Sequence, residues 1–300
     1  MPGEAVVELV RARKDYGRTR ALNDVDLRIE AGEVVAVLGP NGAGKTTAIS
    51  LMLGLRKASA GEVKLFGRPP TDPAARSRCG VMLQESGVPD LLTVMELVEL
   101  FSSYYPRHLP AREVIRKAGL EGRANSRFET LSGGQQQRVY YALAICGDPE
   151  VLFLDEPTVG MDVEGRRAFL TDLMKWAAAG RTLILTTHYL EEADQLARRI
   201  VVIDRGNVIA DAPPAVIKSR VAGKKVVLRF RANPAPTLLE SLPATSVEVE
   251  GDRVSILSTE PVSVVRELML RAGDDVIDID VVGADLEEAF VHLTREAANA

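Results

Sequence analysis

Residues Glu33–Thr47, EVVAVLGPNGAGKTT, decide the fold of this chain. The first half is a short run of valines and other apolar residues, which is typical of a strand buried on both faces of a sheet. Glycines and small residues follow from Gly39, and the helical segment TTAISLMLGL begins at Thr46. A strand, a glycine loop and a helix in this order predict a loop whose N–H groups hold a phosphate chain at a helix N-terminus.

The residue types of this loop suit phosphate chemistry. Glycines let the backbone wrap the phosphates without Cβ clashes, and the backbone N–H groups supply positive potential. Lys45 is predicted to reach the β- and γ-phosphates, and the Thr46 hydroxyl is predicted to bind Mg²⁺. The predicted contact set is Gly39, Pro40, Asn41, Gly42, Ala43, Gly44, Lys45, Thr46 and Thr47.

Three further buried runs extend the pattern along the chain. They are CGVMLQ (Cys79–Gln84), VLFLDE (Val151–Glu156) and TLILTTH (Thr182–His188). Strand-like and helical stretches alternate from Val34 to about Ile203, which predicts an α/β fold with a mostly parallel sheet. Ligands of such sheets bind beyond the carboxyl ends of the strands. The polar residues that end these runs are therefore expected to meet the phosphate loop at one place.

The polar residues that end these strands are of the types that hydrolyse a phosphate chain. Asp155 is predicted to hold Mg²⁺ through water, and Glu156 to orient or deprotonate the attacking water. His188 is predicted to contact the γ-phosphate, and Gln84 to reach Mg²⁺ or the water from the opposite side. We therefore expect Glu156, His188 and Gln84 to be catalytic, and Thr46, Gln84 and Asp155 to bind the metal.

Composition narrows the class of function. The net charge of −5 and the pI near 5.5 argue against a general nucleic-acid binder, which usually carries a basic surface. The two cysteines lie far apart without metal-ligand spacing, so we expect reduced thiols. No apolar run approaches the ~20 residues of a membrane helix, and MPGEAVVELV does not read as a signal peptide. A soluble chain is expected.

A second anion-binding helix start occurs at Leu131–Ile145, LSGGQQQRVYYALAI. Ser132 and two glycines lead directly into a helical segment, which is the pattern of a helix N-terminus cleared of bulk to receive an anion. Because the phosphate loop at Gly39 already holds one phosphate chain, the second helix start raises the question of whose phosphate it contacts.

These motifs resemble the ATP-binding-cassette (ABC) ATPases over about residues 5–215. The phosphate loop is followed by Gln84, LSGGQQQR, VLFLDEPT, VGMD and His188 in the family's order and spacing, and LSGGQ is highly specific to that family. TVGMD departs mildly from many relatives, which have a small residue before the glycine and Leu after it. The resemblance implies a P-loop cassette with an antiparallel N-terminal β subdomain, ATP and Mg²⁺ as ligands, and Tyr16 stacked on adenine. Without the resemblance, Tyr16 reads as a half-buried strand aromatic.

The resemblance also implies an answer for the second helix start. In these proteins the signature of one cassette caps the nucleotide held by the other, so that two chains sandwich two ATP molecules head to tail. Asp162 would lie at the dimer seam, and both a homodimer and a pair with a sister subunit stay open. The residues expected to contact the partner chain's ATP are Ser132, Gly133, Gly134 and Gln135.

The segment between Gln84 and the signature indicates which kind of ABC protein this is. It is mostly helical and too short for the coiled coil of a chromosome-organising relative, so we expect the helical subdomain of a transporter ATPase at about residues 85–145. By resemblance, Phe101, Tyr104 and Tyr105 line a groove for a separate transmembrane permease. Read alone, such aromatics belong more often to the core of the subdomain. The expected location is the cytoplasmic face of the membrane, peripheral through the permease.

The tail at residues 222–300 has a different pattern. It reads as strand–helix–strand–strand–helix–strand, the order of a small α+β ferredoxin-like domain, and carries no catalytic constellation. Its closing helix GADLEEAFVHLT resembles the C-terminal ending of ATPase subunits from drug and antibiotic exporters. We therefore expect the ATPase subunit of an ABC exporter. The alternatives are an importer ATPase and a soluble ABC ATPase that remodels nucleic acid or a protein complex.

Overall fold

The computed structural model describes residues 4–83, 87–220, 223–283 and 285–299. The chain divides into two compact units, Met1–Pro213 and Pro214–Ala300. The strands of the first unit are β1 Ala5–Tyr16, β2 Thr19–Glu30, β3 Val34–Leu38, β4 Ala60–Leu65, β5 Cys79–Met82, β6 Val151–Asp155, β7 Thr182–Thr186, β8 Arg199–Asp204 and β9 Asn207–Ala212. Its helices are α1 Lys45–Met52, α2 Pro73–Arg76, α3 Val94–Ser102, α4 Ala111–Lys117, α5 Gly133–Ile145, α6 Val163–Ala178 and α7 Leu190–Leu196.

The central sheet has six strands in the order β5-β6-β7-β3-β8-β9. All neighbouring pairs are parallel except β8 with β9 at the edge. Strands β3, β6 and β7 are buried along their whole length, as their continuous apolar runs predict. The predicted mostly parallel sheet is confirmed. Because β5, β6, β7 and β3 are consecutive, their carboxyl ends lie side by side at one edge.

A second sheet of the first unit is antiparallel, with three strands in the order β2-β1-β4. Apolar residues on these strands, such as Leu9 and Ile29, share one hydrophobic core with Val37 of β3 and with Ile49 and Met52 of α1. The predicted antiparallel N-terminal sheet is confirmed. Its packing against α1 fixes the helix that follows the phosphate loop.

Helices α3, α4 and α5 fill the chain between β5 and β6. Thr93 and Glu96 form a capping box at the start of α3: the Thr93 Oγ1 accepts from the Glu96 N–H at 3.2 Å, and a Glu96 carboxylate oxygen accepts from the Thr93 N–H at 2.8 Å. Two 3₁₀ turns, Glu121–Arg123 and Phe128–Thr130, separate α4 from α5. The start of α5 therefore follows a short turn rather than a long loop.

Arg199 joins the two sheets of the first unit. Its guanidinium makes two parallel 2.7 Å hydrogen bonds to the Asp211 carboxylate, contacts Glu33 at 3.1 Å and donates to the Arg28 carbonyl at 2.8 Å. Hydrogen bonding to Asp211 raises the pKa of Arg199 despite partial burial, with the charges of Asp211 and Glu33 adding to the effect. The ion pair connects β8 and β9 to β2 and to the start of β3.

The second unit contains a four-stranded antiparallel sheet in the order β11-β12-β10-β13. Its strands are β10 Lys224–Phe230, β11 Ser246–Glu250, β12 Arg253–Ser258 and β13 Val276–Gly283, and its helices are α8 Pro214–Lys218, α9 Pro236–Leu239, α10 Pro261–Ala272 and α11 Leu286–Asn299. Its core joins one face of the sheet, including Val226 and Ile256, to α10 through Val264 and Leu268. The predicted ferredoxin-like order of elements is confirmed.

One predicted element of this unit is shorter than expected. The segment TLLESLPA reads as a helix over 237–244, but α9 ends at Leu239. Ser241 has a φ of +63°, and Pro243 follows, which disfavours helical geometry at the residue before it. Within the described ranges, no helix combines the length and the apolar character that a membrane crossing requires.

Candidate functional site

The phosphate loop fits closely between neighbouring strands. A Cβ on Gly39 would lie 2.2 Å from the Ile203 carbonyl oxygen, and one on Gly44 would lie 2.5 Å from the Ala21 carbonyl oxygen. Gly44 also has a φ of +113° at the N-cap of α1, a conformation that favours glycine. The loop therefore requires glycine at both positions, and it leaves its backbone rather than side chains at the start of α1.

Lys45 folds back over this loop. Its ammonium donates to the Gly39 carbonyl oxygen at 2.7 Å and to the Pro40 carbonyl oxygen at 3.1 Å. Burial lowers the pKa of Lys45, and the negative charges of Glu156 and Asp155 oppose that shift without cancelling it. A buried cation is thus held above the loop, where a phosphate chain would neutralise it.

An open cavity of about 600 Å³ surrounds the Lys45 ammonium. The residues that line it are Ala21, Asn41, Gly42, Ala43, Gly44, Lys45, Thr46, Thr47, Glu156 and His188. The structure therefore brings most of the predicted phosphate loop together with two of the predicted strand-end residues. Gln84 lies outside the described residues, so its contact with Mg²⁺ or water stays a prediction.

Asp155 lies beside this cavity at the end of β6. Its carboxylate is buried and accepts a short hydrogen bond from the Thr186 hydroxyl on the neighbouring strand β7. The Thr46 hydroxyl and the Asp155 carboxylate are hard oxygen donors, which suit Mg²⁺. The described residues contain no group of three or more His, Cys, Asp or Glu side chains able to hold a metal. This donor set fits Mg²⁺, which is usually bound by one or two protein ligands together with substrate phosphates.

Glu156 and His188 lie next to each other in the wall of the cavity. The His188 Nδ1 lies 3.3 Å from a Glu156 carboxylate oxygen. The Glu156 N–H donates to the Thr186 carbonyl oxygen at 3.1 Å and is 3.2 Å from the Thr186 hydroxyl. Glu156 has a φ of +51°, which is uncommon for a residue with a side chain. This turn directs the carboxylate away from the end of β6 and into the cavity.

Sequence reasoning missed Glu192, which contacts the segments that follow Glu156 and precede His188. Its carboxylate is only 2% exposed and accepts hydrogen bonds from the Thr158 and Thr187 hydroxyls. Glu192 stands four residues before Leu196 on α7, so the helical period places both on the buried face of the helix. That period was the available signal, because it puts an acidic residue where an apolar one is expected.

The signature residues, Ser132 to Gln135 of LSGGQ, form the start of α5. Ser132 and Gln135 make a capping box, in which the Ser132 N–H donates to the Gln135 side chain at 3.1 Å and the Gln135 N–H donates to the Ser132 Oγ at 3.4 Å. The Gly133 backbone lies close to Gly160 and the Gly134 backbone close to Met161. Among the described residues that line the Lys45 cavity, none belongs to this helix start.

Asp162 and Tyr16 also lie apart from the Lys45 cavity. Asp162 is exposed and caps α6 by accepting the Gly165 N–H at 2.7 Å. Tyr16 ends β1 with 44% of its surface exposed, and the Lys14 ammonium lies 5.0 Å from its ring centroid. The dimer contact of Asp162 and the adenine stacking of Tyr16 remain predictions.

Phe101, in the last turn of α3, and the two tyrosines after the helix, Tyr104 and Tyr105, have different surroundings. The Tyr105 hydroxyl lies 3.4 Å from the Cys79 carbonyl oxygen, and burial raises the pKa of Tyr105 to about 12. A Cβ on Gly147 would lie 2.4 Å from its ring, so Tyr105 packs against Gly147 and is partly buried. Tyr104 is 69% exposed and makes an edge-to-face contact with Phe101 at 5.8 Å between centroids. Tyr104 is the exposed member of the three, and the groove for a permease stays a prediction.

The phosphate loop, the carboxylates that end β6 and the glycine-led start of α5 define this chain as an ATP-binding cassette. A family model described as ABC transporter matches residues 22–159. The Nod factor export ATP-binding protein I of Cupriavidus pinatubonensis is 36% identical over 97% of this chain and 91% of its own length. The daunorubicin resistance ATP-binding protein DrrA3 of Streptomyces coeruleorubidus is 37% identical over 95% and 94%.

Solved structures agree with this assignment. A dimeric ATP-binding cassette in a post-hydrolysis state, bound to ADP and Pi, is 30% identical, with a TM-score of 0.63 over 69% of this chain and 98% of that one. An ATP-binding subunit of an ABC transporter is 27% identical, with a TM-score of 0.65 over 72% and 92%. This chain belongs to the ABC transporter family. It binds ATP and is an ATPase.

Proposed function

We propose that this chain is the ATP-hydrolysing subunit of an export transporter, in which two ATPase chains act on a separate transmembrane permease. The observation that carries the hydrolytic part is the meeting of Lys45, Glu156 and His188 in one cavity. Export is supported by relatives that match nearly the whole chain and are named for Nod factor export and daunorubicin resistance.

In the proposed mechanism, the chain first fixes the triphosphate. The N–H groups at the start of α1 and the Lys45 ammonium bind the β- and γ-phosphate oxygens. Thr46, Asp155 and Gln84 would hold Mg²⁺, which would supply positive charge to offset the charge developing on the phosphates. Lys45 then exchanges its bonds to the loop carbonyls for bonds to the phosphates. Tyr16 stacks on the adenine.

Glu156 and His188 act on the hydrolytic step. A water oxygen forms a bond to the γ-phosphorus while the bond to the β,γ-bridging oxygen breaks, and the water proton passes to the Glu156 carboxylate. The ring of His188 contacts the γ-phosphate and lies within 3.3 Å of the same carboxylate. This short separation lets one side chain orient the water while the other orients the phosphate.

The second anion-binding helix start serves the partner chain in this proposal. The residues from Ser132 to Gln135 stand at the N-terminus of a 13-residue helix and outside the described lining of the Lys45 cavity. A dimer seam at Asp162 would bring them to the γ-phosphate held by the other chain. The dimeric cassette with ADP and Pi, 30% identical to this chain, supports a paired arrangement.

The remaining parts of the chain have proposed roles in coupling. We assign residues 5–215 to the ATPase domain, residues about 85–145 to its helical subdomain, and residues 222–300 to an accessory domain. Phe101 and Tyr104 form the surface that contacts the permease. Through this contact the permease holds the ATPase at the cytoplasmic face of the membrane.

Hydrolysis by this site is tested with Glu156→Gln. Because positioned acid–base groups contribute about 10²–10⁴-fold, we expect turnover to fall by that factor while ATP binding persists. ATPase rate and equilibrium ATP affinity are measured on the full chain. Glu191→Gln, which makes the same charge change on an exposed part of α7, is the control. Near-normal turnover in Glu156→Gln would reject the assigned role.

The dimer is tested by mixing a Lys45→Ala chain with a Ser132→Arg chain and isolating the mixed dimer through two different affinity tags. If the signature acts on the partner's ATP, both lesions fall on one site and the other site is intact. If it acts within its own chain, each site carries one lesion. We expect one trapped ATP per mixed dimer and none in either parent. A mixed dimer of verified composition that traps no nucleotide contradicts the sandwich arrangement.

A further inference from the structure

Glu192 is a buried carboxylate that joins two segments of the site. Its Oε1 accepts from the Thr158 hydroxyl at 2.6 Å and its Oε2 accepts from the Thr187 hydroxyl at 2.9 Å. Burying a carboxylate is unfavourable unless its oxygens find partners. Here both oxygens are satisfied by side chains from different segments. The carboxylate can therefore hold those segments in one relative position.

The first segment carries Glu156. After Glu156 the chain turns, with the Val159 N–H donating to the Glu156 carbonyl oxygen at 3.3 Å and the Met161 N–H donating to the Thr158 carbonyl oxygen at 3.1 Å. Thr158 is the buried member of this turn that reaches Glu192. The hydrogen bond from Thr158 to Glu192 thus fixes the turn that places the Glu156 carboxylate in the cavity.

The second segment carries His188. The Thr187 Oγ1 donates to Glu192 and also accepts from the Tyr189 N–H at 2.9 Å, so one hydroxyl ties both neighbours of His188 to the buried carboxylate. The rings of His188 and Tyr189 lie 4.0 Å apart. The imidazole position therefore depends on the contacts of residues that do not touch the cavity.

Arg166 adds the segment that follows Asp162. Its Nε lies 3.6 Å from the Glu192 Oε1, and its guanidinium lies 3.8 Å from the Tyr189 ring centroid. The Arg166 N–H donates to the Asp162 carbonyl oxygen at 2.9 Å in the first turn of α6. The same buried group thus connects the Glu156 turn, the His188 segment and the loop proposed for the dimer seam.

We propose that Glu192 is a positioning residue for ATP hydrolysis, which sets the separation of Glu156 and His188 and transmits the position of the Asp162 loop to both. Glu192 is not among the described residues that line the cavity, so it acts through Thr158, Thr187 and Arg166. The proposal rests on the proposed roles of Glu156 and His188. In this role the loss of Glu192 would change turnover, whereas the loss of a buried polar residue that only stabilises the fold would change stability alone.

The test compares Glu192→Gln with Glu191→Gln on the neighbouring exposed position, in the full chain. An amide has one acceptor oxygen in place of two, so one of the two threonine hydroxyls loses its partner. We expect kcat to fall by about 10²-fold, as for a misplacement of catalytic groups by ~1 Å, while the affinity for ATP changes by less than about 2-fold. Glu191→Gln keeps the unmodified values of both.

A second readout does not depend on turnover. In the nucleotide-free chain, amide hydrogen exchange at Tyr189 should accelerate by about 10-fold in Glu192→Gln, because a neutral amide holds Thr187, whose hydroxyl accepts the Tyr189 N–H, less strongly than the carboxylate does. The imidazole resonances of His188 should shift in the same variant. If Glu156→Gln hydrolyses ATP normally, the proposed function fails, whereas the exchange at Tyr189 still reports on Glu192.

Thr187 supplies a pair of variants if Glu192→Gln does not fold. Thr187→Ser keeps the hydroxyl and should keep kcat, whereas Thr187→Val should reproduce the loss of about 10²-fold. Equal kcat in these two variants overturns the proposal. It is also overturned if Glu192→Gln lowers only the melting temperature, with kcat and Tyr189 exchange unchanged, or if ATP affinity falls as far as kcat.

Discussion

Replacing Lys45 with methionine should leave the nucleotide-free chain as stable as before, or more stable, and should remove most of its stabilisation by ATP. The ammonium makes two hydrogen bonds to the Gly39 and Pro40 carbonyl oxygens. Hydrogen bonds of charged groups contribute about 1.5–3 kcal/mol each, which alone would predict a less stable variant. The pKa of Lys45 is nevertheless lowered by burial. Desolvation of the charge therefore outweighs its attraction to the two carboxylates, and we expect it to offset the two hydrogen bonds as well.

The sign of this effect follows from linkage. A lysine whose pKa is lower in the folded chain than in the unfolded one binds its proton less well when folded, so its charge opposes folding at neutral pH. That cost is present in full below the folded-state pKa and is relieved as the pH rises from there to the unfolded-state pKa. Methionine keeps the aliphatic volume and has no charge to desolvate.

The effect of ATP has the opposite sign. At a concentration 100 times Kd, a ligand stabilises the folded state by about 2.7 kcal/mol, which raises the Tm of a unit of ~200 residues by about 5–11 °C. Losing the charged contacts of Lys45 to the phosphates should weaken binding by about 10²-fold. At the same ATP concentration the stabilisation of Lys45→Met then drops to about 0.4 kcal/mol, or a Tm shift of about 1 °C.

The assay is thermal unfolding of the full chain with and without Mg-ATP at one fixed concentration. Lys175→Met, which removes an exposed charge on α6, is the control and should keep the full ATP shift. A fall of several degrees in the nucleotide-free Tm of Lys45→Met would show that the two loop hydrogen bonds outweigh desolvation. An unchanged ATP shift would show that Lys45 does not bind the phosphates.

Two further outcomes are expected away from the nucleotide. Burial raises the pKa of Cys79 to about 12 and also raises the pKa of Cys146, so neither thiol should react with iodoacetamide at pH 8 until the chain is unfolded. Mass spectrometry of the native chain after labelling measures this, and fast labelling would contradict it. In urea titrations, Arg199→Met should lower the free energy of unfolding by about 2 kcal/mol, because it leaves Asp211 without its bidentate partner. The control Arg198→Met, at the exposed neighbouring position, should change it by less than about 0.5 kcal/mol.

The sheet could be predicted because its strands carry their own signal. A strand buried on both faces is written as a continuous apolar run, and the runs at Val34, Cys79, Val151 and Thr182 all became strands of one sheet. A glycine loop between strand and helix likewise has a local signature. What the runs did not predict is the order β5-β6-β7-β3-β8-β9, because strand neighbours are chosen by packing between distant parts of the chain.

The part of the site that the sequence did not predict also depends on contacts between distant parts of the chain. The helical period could indicate that Glu192 is buried, but its partner Thr158 lies 34 residues away, and no local pattern couples the two. The folding of Lys45 onto its own loop was also unforeseen, since a loop lysine was expected to point at phosphates only. The helix predicted over 237–244 ends early for a local reason, because Pro243 disfavours helical geometry at the residue before it.

The left-handed backbone at Glu156 has a consequence for engineering this ATPase. A side chain at a φ of +51° costs on the order of 1 kcal/mol, a strain that glycine or asparagine carries more easily. A screen that ranks variants by heat tolerance alone would therefore favour glycine or asparagine at position 156. Each such variant would lack the carboxylate to which we assign activation of water. Thermostability libraries of this chain should hold Glu156 fixed, or select for turnover at every round.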